Sequence, residues 1–458
     1  MKKLLIILSL FAVLMVFASC GSKDDYRIVI PENPTLTEQY AAENLSSIIN
    51  DYYGVSLSIV KDSEPEQKNE ILIGATNRDE SKTNLTFNSM QYAVFKKKSK
   101  IVVQGDGIYV GAGCGKLVNE HTSTSDGKLS FENLSKNDIY TYAPSDKCDS
   151  VIFMIGDGMG DVHITLGEKK QNFSFAAKQF PNIGTSVTRS QSVINGQAGF
   201  TDSAASGSAM ATGYKTINGY IGLDMNGNTL INVRELAALA GAKTAVLTTD
   251  KITGATPSAF MCHNISRENT KELQEEIDAL IAANKIDYCK GEVDFELTLE
   301  TKTALETISK DKSKFFIMIE EGWIDKQAHN NNIQSTANMV ERFNDSIEYA
   351  AQFALMRPNT ALIVTADHET GNLVESTFHK AGFTFRSTDH TNKNVSIFAL
   401  GAGTEIFNGA TVENIELARF VASVYSSESF GMSPDLVGVP SEPVAFTDYF
   451  EKIKQNIA

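Results

Sequence analysis

The chain of 458 residues is poor in positive charge: 41 Lys and Arg stand against 56 Asp and Glu, a formal net charge of −15. A phosphate backbone needs a basic face, so this balance argues against nucleic acid as a partner. It leaves a small anionic ligand open, because bound metals and a single Arg can reverse the field locally. Cysteine is scarce, with five in all and no Cys-x-x-Cys pair to suggest a zinc ribbon. Tryptophan occurs once, at Trp323. Internal repeats and low-complexity tracts are absent, which excludes solenoid and fibrous architectures. What remains is ordinary globular composition, 42% hydrophobic and 21% charged, at a length that suits two or three domains with a large buried core.

The N-terminus is expected to lie outside the fold. Lys2 and Lys3 precede an apolar run from Leu4 to Ala18, an export signal too short for the about 20 residues of a membrane span. The run ends in Phe17-Ala18-Ser19-Cys20 before Gly21. This resembles a bacterial lipoprotein processing site, which implies a signal peptide over residues 1–20, a lipid on Cys20 and a protein anchored in the bacterial envelope, on its periplasmic or cell-surface side. A plain signal peptide or an uncleaved anchor is the alternative. Lys23-Asp24-Asp25 resembles acidic surface-sorting signals. In an exported compartment the other cysteines, Cys114, Cys148, Cys262 and Cys289, allow three pairings, and spacing does not choose among them.

An accessory domain is expected over residues 26–134. Ile28-Val29-Ile30 reads as a strand ended by Pro31. A helix follows: Thr35 and Glu38 form a capping box, Ala41, Leu45, Ile48 and Tyr52 share one face, and Gly54 sits at the C-terminal cap. Further strands read at 55–60, 70–73, 92–95 and 101–103. The helix segment Ala41-Ala42-Glu43-Asn44-Leu45, with Ile71-Leu72-Ile73-Gly74 and Ile101-Val102-Val103, resembles the non-catalytic N-terminal domain of some glycoside hydrolases. Residues 135–147, polar and containing Pro144, read as a linker.

From residue 148 onward long apolar strands alternate with helical segments, the pattern of an α/β fold with a mainly parallel central sheet flanked by helices. Val151–Ile155 runs into Gly156-Asp157-Gly158-Met159-Gly160, Lys314–Ile319 into Glu320-Glu321-Gly322, and Ala361–Thr365 into Ala366-Asp367-His368. Val395–Leu400 follows Asp389-His390. Ligands of open α/β sheets bind beyond the carboxyl ends of the strands, so acids and His collected there mark a site. Asp325 and His329, four residues apart, face the same way on a helix and can share a cation. Mixed carboxylate and imidazole ligands suit zinc, and oxygen-only ligands suit magnesium. Asp157, Glu320, Asp325, His329, Asp367, His368 and His390 are too many for one ion, which points to a multi-metal hydrolytic site. Taken singly, Asp157 is a turn residue, His329 a surface helix residue and Ser203 a helix start; only their convergence argues otherwise. His121, His163 and His379 lack such company and read as structural.

Six motifs then resemble the alkaline phosphatases, in order and spacing, over about residues 149–425. They are Asp157-Gly158-Met159-Gly160-Asp161, Thr201-Asp202-Ser203-Ala204-Ala205-Ser206, Ala255-Thr256-Pro257 with Ser266-Arg267, Glu320 with Asp325-Lys326-Gln327 and His329, Thr365-Ala366-Asp367-His368, and His390-Thr391. The resemblance implies a catalytic domain over residues 148–458 that hydrolyses phosphate monoesters through a phosphoserine on Ser203. It implies two Zn2+, one at Asp325, His329 and His390, the other at Asp367, His368 and Asp157, and one Mg2+ at Asp157, Thr256 and Glu320. Arg267 is implied to grip the phosphoryl oxygens, oriented by Asp202.

Two features depart from or refine that pattern. Position 254, an Asp or His near the magnesium in well-known members, is Gly254 here, which puts the third metal's identity in doubt. Lys326 follows the bacterial pattern. Alternatives are a phosphodiesterase, sulfatase or phosphonate hydrolase of the same superfamily, or a glycan-binding surface lipoprotein with an inert phosphatase half. The sequence leaves open the natural substrate, a homodimer, any glycan contact by the N-terminal domain, and whether Trp323 borders the cleft or only packs.

Overall fold

The computed structural model describes residues 25–292, 296–425 and Phe430. The expected signal peptide, Cys20 and nearly all of the segment after Tyr425 therefore lie outside the described residues.

In the N-terminal domain, strands β1 (Arg27–Ile30), β2 (Ile59–Lys61), β3 (Glu70–Ile73), β4 (Gln91–Lys97), β5 (Lys100–Gly105) and β6 (Ile139–Thr141) form one sheet in the order β2-β1-β3-β5-β4-β6. Helix α1 (Leu36–Tyr53) begins as expected. The Thr35 hydroxyl accepts from the Glu38 N–H, the Glu38 carboxylate accepts from the Thr35 N–H, and Gly54 closes the helix at φ 68°. Strand β6 corrects one expectation: Ile139–Thr141 lies inside the segment read as a linker, yet pairs antiparallel with β4. The polar residues around it make the segment read as a linker, while Ile139-Tyr140-Thr141 itself suits an edge strand with one exposed face.

The second domain is built on an eight-stranded sheet. Its strands in chain order are β7 (Ser150–Gly156), β8 (Asn182–Val187), β9 (Lys243–Thr248), β10 (Tyr288–Gly291), β11 (Phe315–Glu321), β12 (Thr360–Thr365), β13 (Val395–Gly401) and β14 (Thr411–Glu413). In space they run β10-β9-β11-β7-β12-β13-β8-β14. Only β13 opposes its neighbours; the rest are parallel, as the unbroken apolar runs require. Residues of β7, β11 and β12 are buried throughout, with packed layers on both faces.

Register sets the site. Glu320 of β11 and Thr365 of β12 both lie opposite Ile155 of β7, and Thr248 of β9 lies opposite Glu320. The turns after β7, β11 and β12 therefore leave the sheet at one level. His390 reaches the same end for the opposite reason: it precedes β13, and that strand runs backwards.

The domains share a core. Helix α2 (Val110–Lys116) of the first domain packs on the long helix Ile333–Met356 of the second. Met356 belongs to the first domain's apolar cluster, while Tyr92, Ile108 and Tyr109 belong to the second's. The buried Gln352 amide donates to the Ile108 carbonyl at 3.0 Å, and the Tyr109 hydroxyl to the Gln179 carbonyl at 2.7 Å. Small residues on α2 allow this approach: a β-carbon on Gly115 would stand 2.5 Å from the Leu355 carbonyl oxygen. Gly115→Val is therefore expected to cost about 1–3 kcal/mol by overpacking and to lower the melting temperature of the whole chain in one calorimetric transition. Loss of the first domain alone, in a separate early transition, would contradict the shared core.

Candidate active site

Ser203 is the first residue of helix α3 (Ser203–Thr212) and is 4% exposed. Asp202 caps that helix. One carboxylate oxygen accepts from the Ala205 N–H at 2.9 Å; the other accepts from the Gly219 N–H at 3.0 Å and from Arg267 Nη1 at 3.3 Å. A single side chain thus fixes both the serine's helix and the arginine. The Ser203 hydroxyl lies 3.2 Å from His368 Nε2.

Asp325, His329 and His390 bring one ligand atom each within 4.8 Å of one another, and so do Asp157, Asp367 and His368. Backbone carbonyls orient the first imidazoles. His329 Nδ1 lies 2.5 Å from the Thr388 oxygen and His390 Nδ1 2.8 Å from the Thr201 oxygen. A carbonyl only accepts, so both Nδ1 atoms carry protons. The two Nε2 atoms then face each other at 3.1 Å, with an Asp325 oxygen 3.2 Å from that of His329. Two lone pairs at that separation need a proton or a cation between them. Without a cation His329 holds the proton: its hydrogen bond to Asp325 pushes its pKa up to about 9, whereas burial and His368 lower that of His390. Burial opposes ionisation of Asp325, but the facing histidines outweigh it and hold the carboxyl low.

The second set has the same signature. Asp367 Oδ1 accepts from the backbone N–H groups of Gly158 and His368, at 3.0 and 2.9 Å. Its other oxygen is buried without a hydrogen-bond partner, as is Asp157 Oδ1. They lie 3.1 and 3.7 Å from His368 Nε2. Burial lowers the His368 pKa, but Asp367 overcomes this and the net shift is upward. Burial, then the Asp367 charge, raises that of Asp157.

Beside these lies Glu320, fully in the interior, where burial pushes its pKa up to about 8. It accepts from the Thr248 hydroxyl. The Thr256 hydroxyl approaches closely enough to favour the Glu320 charge, yet it is buried with no partner at bonding geometry. Orphaned oxygens in a water-poor site are expensive, and hard oxygens from Asp157, Thr256 and Glu320 suit a magnesium-type ion. The donor chemistry fits the implied metals.

The structure gathers Asp325, His329 and His390 in one set and Asp157, Asp367 and His368 in another, with Ser203 beside His368, Arg267 on Asp202 and Glu320 on Thr248; Cys20 lies outside the described residues. Sequence reasoning missed Thr370. Its hydroxyl donates to Asp325 and lies 3.2 Å from His368 Nδ1, tying the two sets together. Thr370 and His368 alternate along an extended segment, a spacing that could have flagged it. Glu321 was also missed; it is buried, forks onto Arg342 and accepts from the Trp323 N–H at 3.0 Å. Trp323 packs through its Nε1 onto the Thr249 carbonyl at 3.1 Å. His163 is buried, with Nδ1 accepting from the Gly160 N–H, and His121 and His379 make only local contacts. The four described cysteines are free.

Fold and site together define a class: an α/β protein with a helix-start serine facing assembled sets of cation ligands. The family model described as alkaline phosphatase matches residues 148–295 and 289–382, and the chain belongs to that family. Alkaline phosphatase 4 of Bacillus subtilis is 29% identical over 288 residues, 48% of this chain and 61% of that protein. Repressible alkaline phosphatase of Saccharomyces cerevisiae is 26% identical, over 51% of this chain and 56% of that protein. The chain thus spans about three fifths of the length of these relatives. The alkaline phosphatase of the Antarctic bacterium TAB5 superposes with a TM-score of 0.56 at 27% identity, covering 61% of this chain and 98% of that one. Two variants of that enzyme hold magnesium in a site called M3.

The His329–His390 pair gives a pH prediction. The raised His329 pKa stabilises the metal-free fold fully below about pH 6.5, and that contribution is lost as pH rises through about 9. A cation takes the proton's place, so uptake of a divalent cation below pH 9 should release about one proton at this set and tighten as pH rises. Calorimetry in buffers of different ionisation enthalpy measures the release; buffer-independent heats would contradict it.

Proposed function

We propose that the protein hydrolyses phosphate monoesters through a phosphoserine on Ser203, with two Zn2+ and one Mg2+. The observation that carries this is the Ser203 hydroxyl at a helix N-terminus, 3.2 Å from an imidazole of a cation-ligand set. Asp325, His329 and His390 would hold one zinc; Asp157, Asp367 and His368 the other; Asp157, Thr256 and Glu320 the magnesium. Bound there, the metals supply positive charge that stabilises the serine alkoxide and the leaving oxygen and lowers the pKa of attacking water.

The chain's own residues do the rest. The start of α3 favours negative charge on Ser203, and its hydroxyl stands 3.2 Å from His368 Nε2, the nitrogen that would hold the cation. Ser203 Oγ bonds to phosphorus as the bond from phosphorus to the ester oxygen breaks and the alcohol leaves. Water then cleaves the new phosphorus–Oγ bond, returning serine and inorganic phosphate. Arg267, aligned by Asp202, offers a planar fork to the equatorial oxygens. Family membership together with the serine, the arginine and the third oxygen set supports a monoesterase over a diesterase or sulfatase.

Export and lipidation of Cys20 remain part of the proposal on sequence grounds. Among the described residues no helix is long and apolar enough to cross a membrane.

The test is hydrolysis of a chromogenic phosphate monoester beside a diester and a sulfate ester. Monoester turnover should dominate, vanish with chelator, and fall by about three orders of magnitude or more in Ser203→Ala. Arg267→Ala should lose about 10²–10³-fold. Faster diester cleavage would overturn the substrate class; undiminished turnover in Ser203→Ala would overturn the nucleophile.

A further inference from the structure

Gly254 leaves the third oxygen set without the side chain expected at that position, and the fold fills the space from elsewhere. Asp250 stands just past the end of β9, and its N–H donates to the Thr248 hydroxyl at 2.9 Å. That hydroxyl in turn donates to Glu320. The Asp250 carboxylate occupies room that two glycines leave open. A β-carbon on Gly254 would lie 3.2 Å from Asp250 Oδ2, and one on Gly322 would lie 3.1 Å from Asp250 Cβ and 3.5 Å from Glu320 Oε2. Both glycines are short of side chain at the points where Asp250 enters.

The two Asp250 oxygens face different ways. Oδ1 pairs with Lys326 Nζ, and that ammonium also sits 5.0 Å over the Trp323 ring. Oδ2 faces Gly254, the first residue before the short helix that carries Thr256. The Thr256 hydroxyl, 1% exposed and close to Glu320 but with no partner at bonding geometry, is a second sign that an ion belongs here.

We infer that Asp250 supplies the outer carboxylate of the third cation site, in place of a side chain at position 254, with Lys326 as its competing partner. This rests on the reading of Asp157, Thr256 and Glu320 as a magnesium set. Asp250 is a positioning residue: its carboxylate acts on the ion through its charge, not on the substrate, while the link to Thr248 is made by its backbone N–H and is independent of the side chain. Lys326 opposes the ion, because it neutralises Asp250 and adds a positive charge nearby.

The experiment titrates magnesium chloride into the zinc-loaded full-length protein by calorimetry, with zinc content measured in parallel. Wild type should bind one magnesium beyond its zinc. Asp250→Asn should keep the zinc and weaken magnesium about 10–100-fold, the usual effect of losing an outer partner. Lys326→Ala should bind magnesium at least as tightly as wild type. Unchanged magnesium affinity in Asp250→Asn overturns the inference. So does weakening in Lys326→Ala, which decides the matter even if Asp250→Asn folds poorly. Wild type that takes up zinc and no magnesium overturns this inference together with the magnesium of the proposed function, and leaves the zinc sets and Ser203 standing; wild type that takes up neither overturns the proposed function with it.

Discussion

The structure turns on a concentration of like charge that protein alone cannot balance. Asp157, Glu320, Asp325 and Asp367 converge at one end of the sheet, nearly all inaccessible to water. Burial alone drives a carboxyl toward its neutral form. Here burial raises the pKa of Asp157 and Glu320, while imidazoles hold Asp325 and Asp367 low. Protons keep the metal-free site tolerable, at His329 above all. Cations do so better, because they satisfy the orphaned oxygens that protons leave.

The rest of the fold serves that convergence. Parallel pairing of β9, β11, β7 and β12 brings three acidic turns to one level. The reversed strand β13 returns His390 to the same end. Asp202 then links the site to the serine and arginine, since it caps α3 with one oxygen and holds Arg267 with the other. Thr370 joins the two histidine-bearing sets, since one hydroxyl bonds to both Asp325 and His368. The first domain buttresses this frame through α2 rather than hanging from it.

Much of this was legible in the sequence because local rules carry it. The Thr35–Glu38 capping box, the Gly54 cap and the apolar strands ending in acids need only neighbours in the chain. The ligand motifs were legible for a different reason: each keeps its spacing on one strand end or helix turn. What escaped reading depends on separate segments meeting. Ile139–Thr141 favours a strand by composition but is too short, between polar flanks, to signal one, and becomes one because β4 offers an edge. Asp250 looks like any turn acid until Gly254 and Gly322 are seen to make room for it. The docking of α2 is written in its glycines, but only the facing backbone at Leu355 shows why.

The most direct test of the central claim is a crystal structure of the purified protein with anomalous data on both sides of the zinc absorption edge. The account predicts one zinc between Asp325, His329 and His390 and another between Asp157, Asp367 and His368, beside Ser203. Those side chains holding the same arrangement with no anomalous density at either set, from protein that hydrolyses phosphate monoesters, would contradict it.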